Sequence, residues 1–292
     1  MIIDAHTHIF PPSFRERRDE LLRRDATFAD LYASPRADLA SAEELVGAMD
    51  DAGVDVAVAV GIGWADAELA REANDYLLEA TSRHPGRLVG FCAVNPAWGD
   101  AALAEVERCV GAGMKGIGEL HPDTQGFRLE DEATMDALMG LATERGVPVL
   151  VHASEPVGHL YHGKGKVTPE RVLRLIQGFP RATIICAHWG GGLPFYALMP
   201  EVAAALANTY FDSAASPLLY DQGIFSVAAK LVGASKLLFA TDFPLVKPQR
   251  LLAQVRDSGL PTDAQEMVLG GNAARLLGLT EAAITTASSR DP

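Results

Sequence analysis

Cysteine is scarce: the 292-residue chain has three, Cys92, Cys109 and Cys186, far apart and never in a C-x-x-C arrangement. An odd, scattered set excludes a disulfide framework and offers no thiolate zinc site, so the three read as small core residues in a reducing compartment. Basic charge is also short, with 25 Lys plus Arg against 38 Asp plus Glu and a net charge of −13. Such a balance repels a phosphate backbone and excludes nucleic acid as a general partner. No apolar stretch approaches the roughly 18 residues of a membrane helix, and no basic leader or apolar signal core precedes the first strand. The chain is therefore expected to be soluble, off the membrane and cytoplasmic. Assembly into a homo-oligomer is left open. The densest basic run, RERRDELLRR at 15–24, is interleaved with Glu16, Asp19 and Glu20. It reads as a solvated amphipathic helix, with a substrate-facing arginine as the alternative.

What the chain has in abundance is a repeated unit of short β-branched run, loop and amphipathic helix. Eight strand candidates stand at 2–8, 54–62, 87–95, 114–121, 147–153, 182–189, 209–215 and 236–242. Ser41 and Glu44 form a capping-box signature, Thr168-Pro169 is a second helix start, and Gly53 and Gly146 sit where a helix hands over to a strand. Eight such units predict a closed parallel barrel, although an open doubly wound sheet also holds eight strands. The absence of a G-x-G-x-x-G turn after the first strand counts against a dinucleotide-binding sheet. The expected organisation is one (β/α)8 TIM barrel over residues 1–280, with a loop insertion at 11–40 and a flexible tail at 281–292.

DAHTHIF at 4–10 sets His6 and His8 two apart, so on a strand both imidazoles face one way. Glu119, His152, His188 and Asp242 fall at the C-terminal ends of later strands, the face where barrels carry their chemistry. Imidazole nitrogen and carboxylate oxygen are the ligand types of a divalent ion such as zinc. A metal lowers the pKa of bound water toward ~7 and polarises a carbonyl. Asp242 is a candidate to move that water's proton and His188 to stabilise the developing oxyanion. Asp4 has the parity of His6 and His8, with a supporting role or a plain buried hydrogen bond as its readings. His121 reads as a loop residue beyond the strand end.

IIDAHTHIFPP, VLVHAS, IICAHWGGGLPF, KLLFATDFPL and GGNAARLLGL, spread over residues 2–279, resemble the metal-dependent amidohydrolase superfamily. The similarity is to its amidohydrolase-related branch, which includes aminocarboxymuconate-semialdehyde decarboxylase. The resemblance implies a (β/α)8 fold with a metal at its C-terminal mouth. His6, His8, His152 and Asp242 would then bind the metal, and His188 would be a ligand or a catalytic hydrogen-bonding residue.

Glu119 departs from the single-metal decarboxylases of that branch. In hydrolases of the wider superfamily a strand-four carboxylate bridges two metals; the alternative is an ion pair with Lys115 or another basic side chain. Deoxyribonucleases of the superfamily share the strand-four glutamate, but a net charge of −13 speaks against a nuclease. The loop at 154–167 concentrates His159, Tyr161, His162, Lys164 and Lys166, donors suited to a small anion, or it is merely a soluble loop. Phe10, Trp64, Trp189 and Phe243 follow strand ends and either line the pocket or pack. The leading expectation is a hydrolase that uses metal-activated water on a C–O or C–N bond of a small, carboxylated substrate, with one or two divalent ions, zinc foremost. A non-oxidative decarboxylase is the alternative, and a metal-binding barrel without catalysis is a third.

Overall fold

Eight strands lie side by side in chain order, every neighbouring pair parallel. The computed structural model describes residues 1–280; the expected tail at 281–292 lies outside the described residues. The strands are β1 (Ile3–Thr7), β2 (Val56–Val60), β3 (Leu88–Cys92), β4 (Gly116–Leu120), β5 (Val149–Val151), β6 (Ile184–Cys186), β7 (Thr209–Asp212) and β8 (Leu237–Leu238). The Ala5 N–H donates to Phe239 O, the Asp242 N–H donates to His6 O, and Thr7 bridges Phe243, so β1 meets the end of β8 and the barrel closes. The expected (β/α)8 barrel is the fold observed.

The VAVAV of β2 shows how sequence sets the layers. Val56, Val58 and Val60 pack inward with Ile3, Phe91, Leu150, Ile185 and Leu238. Ala57 and Ala59 face out into the layer that holds Leu45, Met49 and Leu77. Alternate residues of a strand serve opposite faces, and small outward residues let the surrounding helices approach. Ser41 and Glu44 form the expected capping box on the helix Ala42–Ala52, which Gly53 ends in the left-handed conformation. Gly146 closes the helix Glu132–Arg145 in the same way. Thr168 precedes the helix Pro169–Gly178 without a side-chain cap bond.

Two strands break the alternation at the mouth. In β1, Asp4 stands opposite Ala57 and Thr7 opposite Ala59, so Ala5 and His6 together face Val58. In β4, Ile117 stands opposite Val149 and Leu120 opposite Val151, so Gly118 and Glu119 together face Leu150. Each is a one-residue bulge, which re-aims the side chains beyond it. Simple parity therefore fails at both places: Asp4 does not share a face with His6, and Ile117 packs outward while Glu119 points inward. Gly118 has φ +122°, and a Cβ there would lie 2.4 Å from Leu150 O, so the β4 bulge requires glycine.

Residues 11–40 form three short helices, Ser13–Glu16, Arg18–Arg24 and Ala26–Tyr32. Phe10, Phe14, Phe28, Tyr32 and Trp64 fuse into one buried aromatic cluster beneath them. The basic run is a solvated face as expected: Arg17 pairs with Glu20 and Glu72, and Arg24 with Asp66 and Glu68. Cys92, Cys109 and Cys186 are buried free thiols. Among the described residues no helix is long and apolar enough to cross a membrane.

Candidate metal centre and active site

The bulges and strand ends deliver five imidazoles and two carboxylates to one place at the C-terminal mouth. His6, His8 and Glu119 form one group whose donor atoms lie within 4.8 Å of one another, and Glu119, His152 and His188 form a second. Glu119 belongs to both. Its Oε2 is 3.5 Å from His6 Nε2 and 3.8 Å from His8 Nε2, and its Oε1 is 3.0 Å from His152 Nδ1 and 3.6 Å from His188 Nε2. Asp242 Oδ1 lies 3.2 Å from His8 Nε2 and 4.0 Å from His6 Nε2. All six residues expected at the site are thus brought together.

Each of four rings has one nitrogen tied to a group that can only accept, which fixes its tautomer. The His6 Nδ1–H donates to Asp212 at 2.9 Å, and the His8 Nδ1–H donates to Val60 O at 3.1 Å. The His188 Nδ1–H donates to Ala214 O at 3.1 Å, and the His152 Nε2–H donates to Gly163 O at 3.1 Å. In the neutral rings of His6, His8 and His152 the inward nitrogens carry lone pairs. His6 Nε2 and His8 Nε2 are 3.1 Å apart, and His152 Nδ1 is 3.0 Å from a Glu119 oxygen. Two acceptors at such distances repel unless a cation lies between them, so the donor set fits a divalent ion bound by nitrogen and oxygen.

Charge in the metal-free cluster follows from the same contacts. Burial alone would raise the Glu119 carboxyl, but the charges of His121, His6 and His152 hold it well below its usual range. Burial likewise opposes ionisation of Asp242, yet the hydrogen bond with His8 and the charge of His188 bring it down to about 2. His188, against its burial, is raised to about 9 by the Glu119 hydrogen bond and the Asp242 charge. His152 is lowered by burial and by the neighbouring His121 charge. The cluster therefore holds ionised carboxylates beside imidazoles of differing basicity.

His121 lies beyond the end of β4, as expected, but it is buried at the site: it is 6% exposed, its Nε2–H donates to Glu119 at 2.9 Å, and its ring stacks on His152 at 4.3 Å. The E-L-H at 119–121 repeats the one-apart spacing of His6 and His8, a signal that was present in the sequence. Lys115 is exposed and has no ion pair among the described residues; Glu119 meets histidines instead. Asp4 accepts from the Thr241 N–H and hydroxyl at 2.9 and 2.6 Å and braces the turn to Asp242, its carboxyl raised by burial to about 7. Phe10, Trp64, Trp189 and Phe243 are buried packing residues outside the cavity lining.

Asp212, at the end of β7, is the residue the sequence reading missed. Fully buried, it accepts from His6 Nδ1–H through one oxygen and from the His188 and Ala214 N–H groups, at 2.9 and 3.0 Å, through the other. It thus orients the ring of His6 and holds the backbone of His188 at once. His188 opens five successive residues of positive φ, through Trp189, Gly190, Gly191 and Gly192, and Asp242 also has φ 64°. Gly191 is needed because a Cβ would meet Ser154 O at 2.4 Å. Left-handed conformations at His188 and Asp242 are costly and persist where the surroundings hold them.

A cavity of about 580 Å³ opens above the cluster. His8, Glu119, His121, His152, His188 and Asp242 form its floor, while Leu218, Leu219, Pro244 and Leu245 give it an apolar wall. His159, Tyr161 and His162 of the loop after β5 line it, as does Arg36 of the insertion. Lys164 instead holds the carbonyls of Val157 and His159 within its own loop.

The chain is 23% identical over 248 residues to a 2-amino-3-carboxymuconate-6-semialdehyde decarboxylase of Dictyostelium discoideum, covering 73% of this chain and 67% of the relative. It is 24% identical over 256 residues to a gamma-resorcylate decarboxylase of Polaromonas sp., covering 73% and 77%. A 5-carboxyvanillate decarboxylase from Novosphingobium aromaticivorans, complexed with manganese and 4-hydroxy-3-methoxy-5-nitrobenzoic acid, superimposes with a TM-score of 0.76 at 18% identity over 96% of each chain. The amidohydrolase family model matches residues 3–279, and with the barrel and its mouth of histidines and carboxylates this makes the chain a member of the amidohydrolase family.

Proposed function

We propose that the chain is a metal-dependent, non-oxidative decarboxylase of a small carboxylated aromatic or similarly planar substrate. The observation that carries the reading is the placement of His188 and Asp242 together at the cavity floor, beside a donor set that fits a divalent ion. Decarboxylation needs those three things: a hold on the substrate's anionic oxygens, a proton for the carbon that loses its carboxylate, and no water in the balance. The curated relatives described above are decarboxylases, which supports this reading over hydrolysis.

His6, His8, Glu119, His152 and Asp242 would hold the ion, with His188 beside it. An imidazole-rich set favours zinc, and the carboxylates also suit manganese, the ion in the similar structure. When bound, the ion supplies Lewis-acid polarisation of substrate oxygens. His188 holds a proton at Nε2 facing the cavity and passes it to the carbon bearing the carboxylate. The electrons of the breaking C–C bond stay on that carbon, and carbon dioxide leaves. Asp242 keeps the His188 proton in place through its charge, and after product forms His188 takes a new proton from solvent. Arg36, which has no ion pair among the described residues, and the loop residues His159 and His162 give the rim donors suited to anions.

One observation favours the second reading, a hydrolase with two ions: Glu119 presents one oxygen to each donor group. The deciding experiment feeds the metal-loaded protein gamma-resorcylate labelled in its carboxylate. Labelled carbon dioxide with no oxygen taken up from labelled water supports the decarboxylase. Incorporation of solvent oxygen into product, with the carboxylate retained, overturns it in favour of hydrolysis.

A further inference from the structure

Tyr32, the last residue of the helix Ala26–Tyr32, is a buried ring on the cavity lining whose hydroxyl makes no hydrogen bond among the described residues. It is 8% exposed, lines the cavity, and is fixed by stacking on Phe28 at 5.1 Å and by an edge contact with Phe10 at 5.1 Å. Two other tyrosines have hydroxyl partners within the protein: Tyr76 accepts the Ala42 N–H at 2.9 Å, and Tyr161 donates to Glu155 at 2.8 Å. Among the described residues the Tyr32 hydroxyl has no hydrogen bond, and it belongs to a ring locked against the cavity that holds Glu119 and Asp242. A phenol that faces an open cavity takes its partner from what enters the cavity. Here the cavity is where that partner arrives.

We infer that Tyr32 is a specificity-determining residue, donating its hydroxyl to an anionic oxygen, carboxylate or phenolate, of a planar substrate lodged between the histidine–carboxylate floor and the wall of Leu218, Leu219 and Leu245. The inference rests on the decarboxylase reading for its substrate class. Burial and the charges of Asp242 and Glu119 push the phenol well above its ordinary pKa, so it stays a donor. A protonated donor beside two carboxylates discriminates. It offers an anionic substrate oxygen a hydrogen bond that its own neighbours, by position, do not take, and a substrate lacking that oxygen leaves the hydroxyl orphaned.

Tyr32→Phe removes one oxygen and keeps the ring that packs on Phe28 and Phe10. Calorimetric titration of the zinc- or manganese-loaded wild type and variant with benzoate and with 2-hydroxybenzoate tests the role, with melting temperature and bound metal measured alongside. The expected result is a loss of about ten- to a hundredfold in affinity at unchanged melting temperature and metal content. Loss with both probes assigns the bond to the carboxylate, and loss with 2-hydroxybenzoate alone assigns it to the ring oxygen; either supports the inference. Equal affinities in wild type and variant overturn it while leaving the decarboxylase reading intact. A wild type that binds neither probe removes the substrate class itself and overturns both.

Discussion

His6 and His8 present their Nε2 atoms to each other across 3.1 Å, while their outer Nδ1–H groups are bound to Asp212 and to the Val60 carbonyl. That geometry asks for a cation. Chelation should lower the melting temperature, and zinc or manganese should restore it. Metal at a hundredfold excess over its dissociation constant stabilises by ~2.7 kcal/mol. Identical melting with chelator and with added metal, and no metal by elemental analysis, would rule the centre out. His6→Ala with His8→Ala should abolish the response.

Asp212 holds the ring of His6 and the backbone of His188 without reaching the cavity floor. Asp212→Asn should weaken metal binding by ~10–100-fold, the usual effect of losing a group that orients a ligand. Competition with a fluorescent chelator measures this. Unaltered affinity would mean that the carboxylate serves only the turn after β6.

Asp242→Asn keeps the shape of the side chain and removes its charge. Turnover of the metal-loaded variant should fall by ~10²–10⁴, as for loss of a general acid–base group. A variant with full metal content and near-native turnover would assign the proton chemistry elsewhere.

Gly118→Ala tests the β4 bulge, where the new Cβ would meet Leu150 O at 2.4 Å. The expected cost is ~1–3 kcal/mol, read from urea denaturation, together with loss of metal, since Glu119 moves with its neighbour. A variant of native stability that binds metal would show that the bulge tolerates a side chain.

Glu105 gives the pH dependence outside the site. Burial pushes its carboxyl up, but hydrogen bonds from Arg108 and Asn74 outweigh it and hold the pKa below 4.5. A depressed folded-state pKa contributes stability above the unfolded value, and that contribution disappears as pH falls through the folded value. Denaturation midpoints measured from neutral pH into acid should therefore drop less steeply for Glu105→Gln than for wild type. Parallel acid limbs would contradict the assignment.

The barrel was legible because valines, alanines and glycine caps repeat with each unit, and the donors because histidines at strand ends have few other uses. Register was not legible. Nothing in DAHTH or GIGEL announces an extra residue, so simple alternation puts Asp4 beside His6 and would put Ile117 beside Glu119, whereas the structure separates both pairs. Asp212 escaped because one aspartate at a strand end carries no pattern of its own; what it does depends on rings some two hundred residues earlier in the chain. The hydrolase expectation leaned on Glu119 alone, a residue whose two oxygens suit either chemistry.

The His152–Gly163 hydrogen bond has a kinetic consequence. The loop that walls the cavity also fixes the ring of a floor residue, and Ser154 pins its base through Val167 O and the Gly165 N–H. Swinging the whole loop aside would release the His152 ring, so traffic through the entrance is confined to smaller excursions of its tip, where Val157 and Leu160 are 74% and 90% exposed. Amide exchange should be fast at 157–160 and slow at 163–167. Product escape would then be a flicker of the tip that leaves the catalytic floor assembled between turnovers.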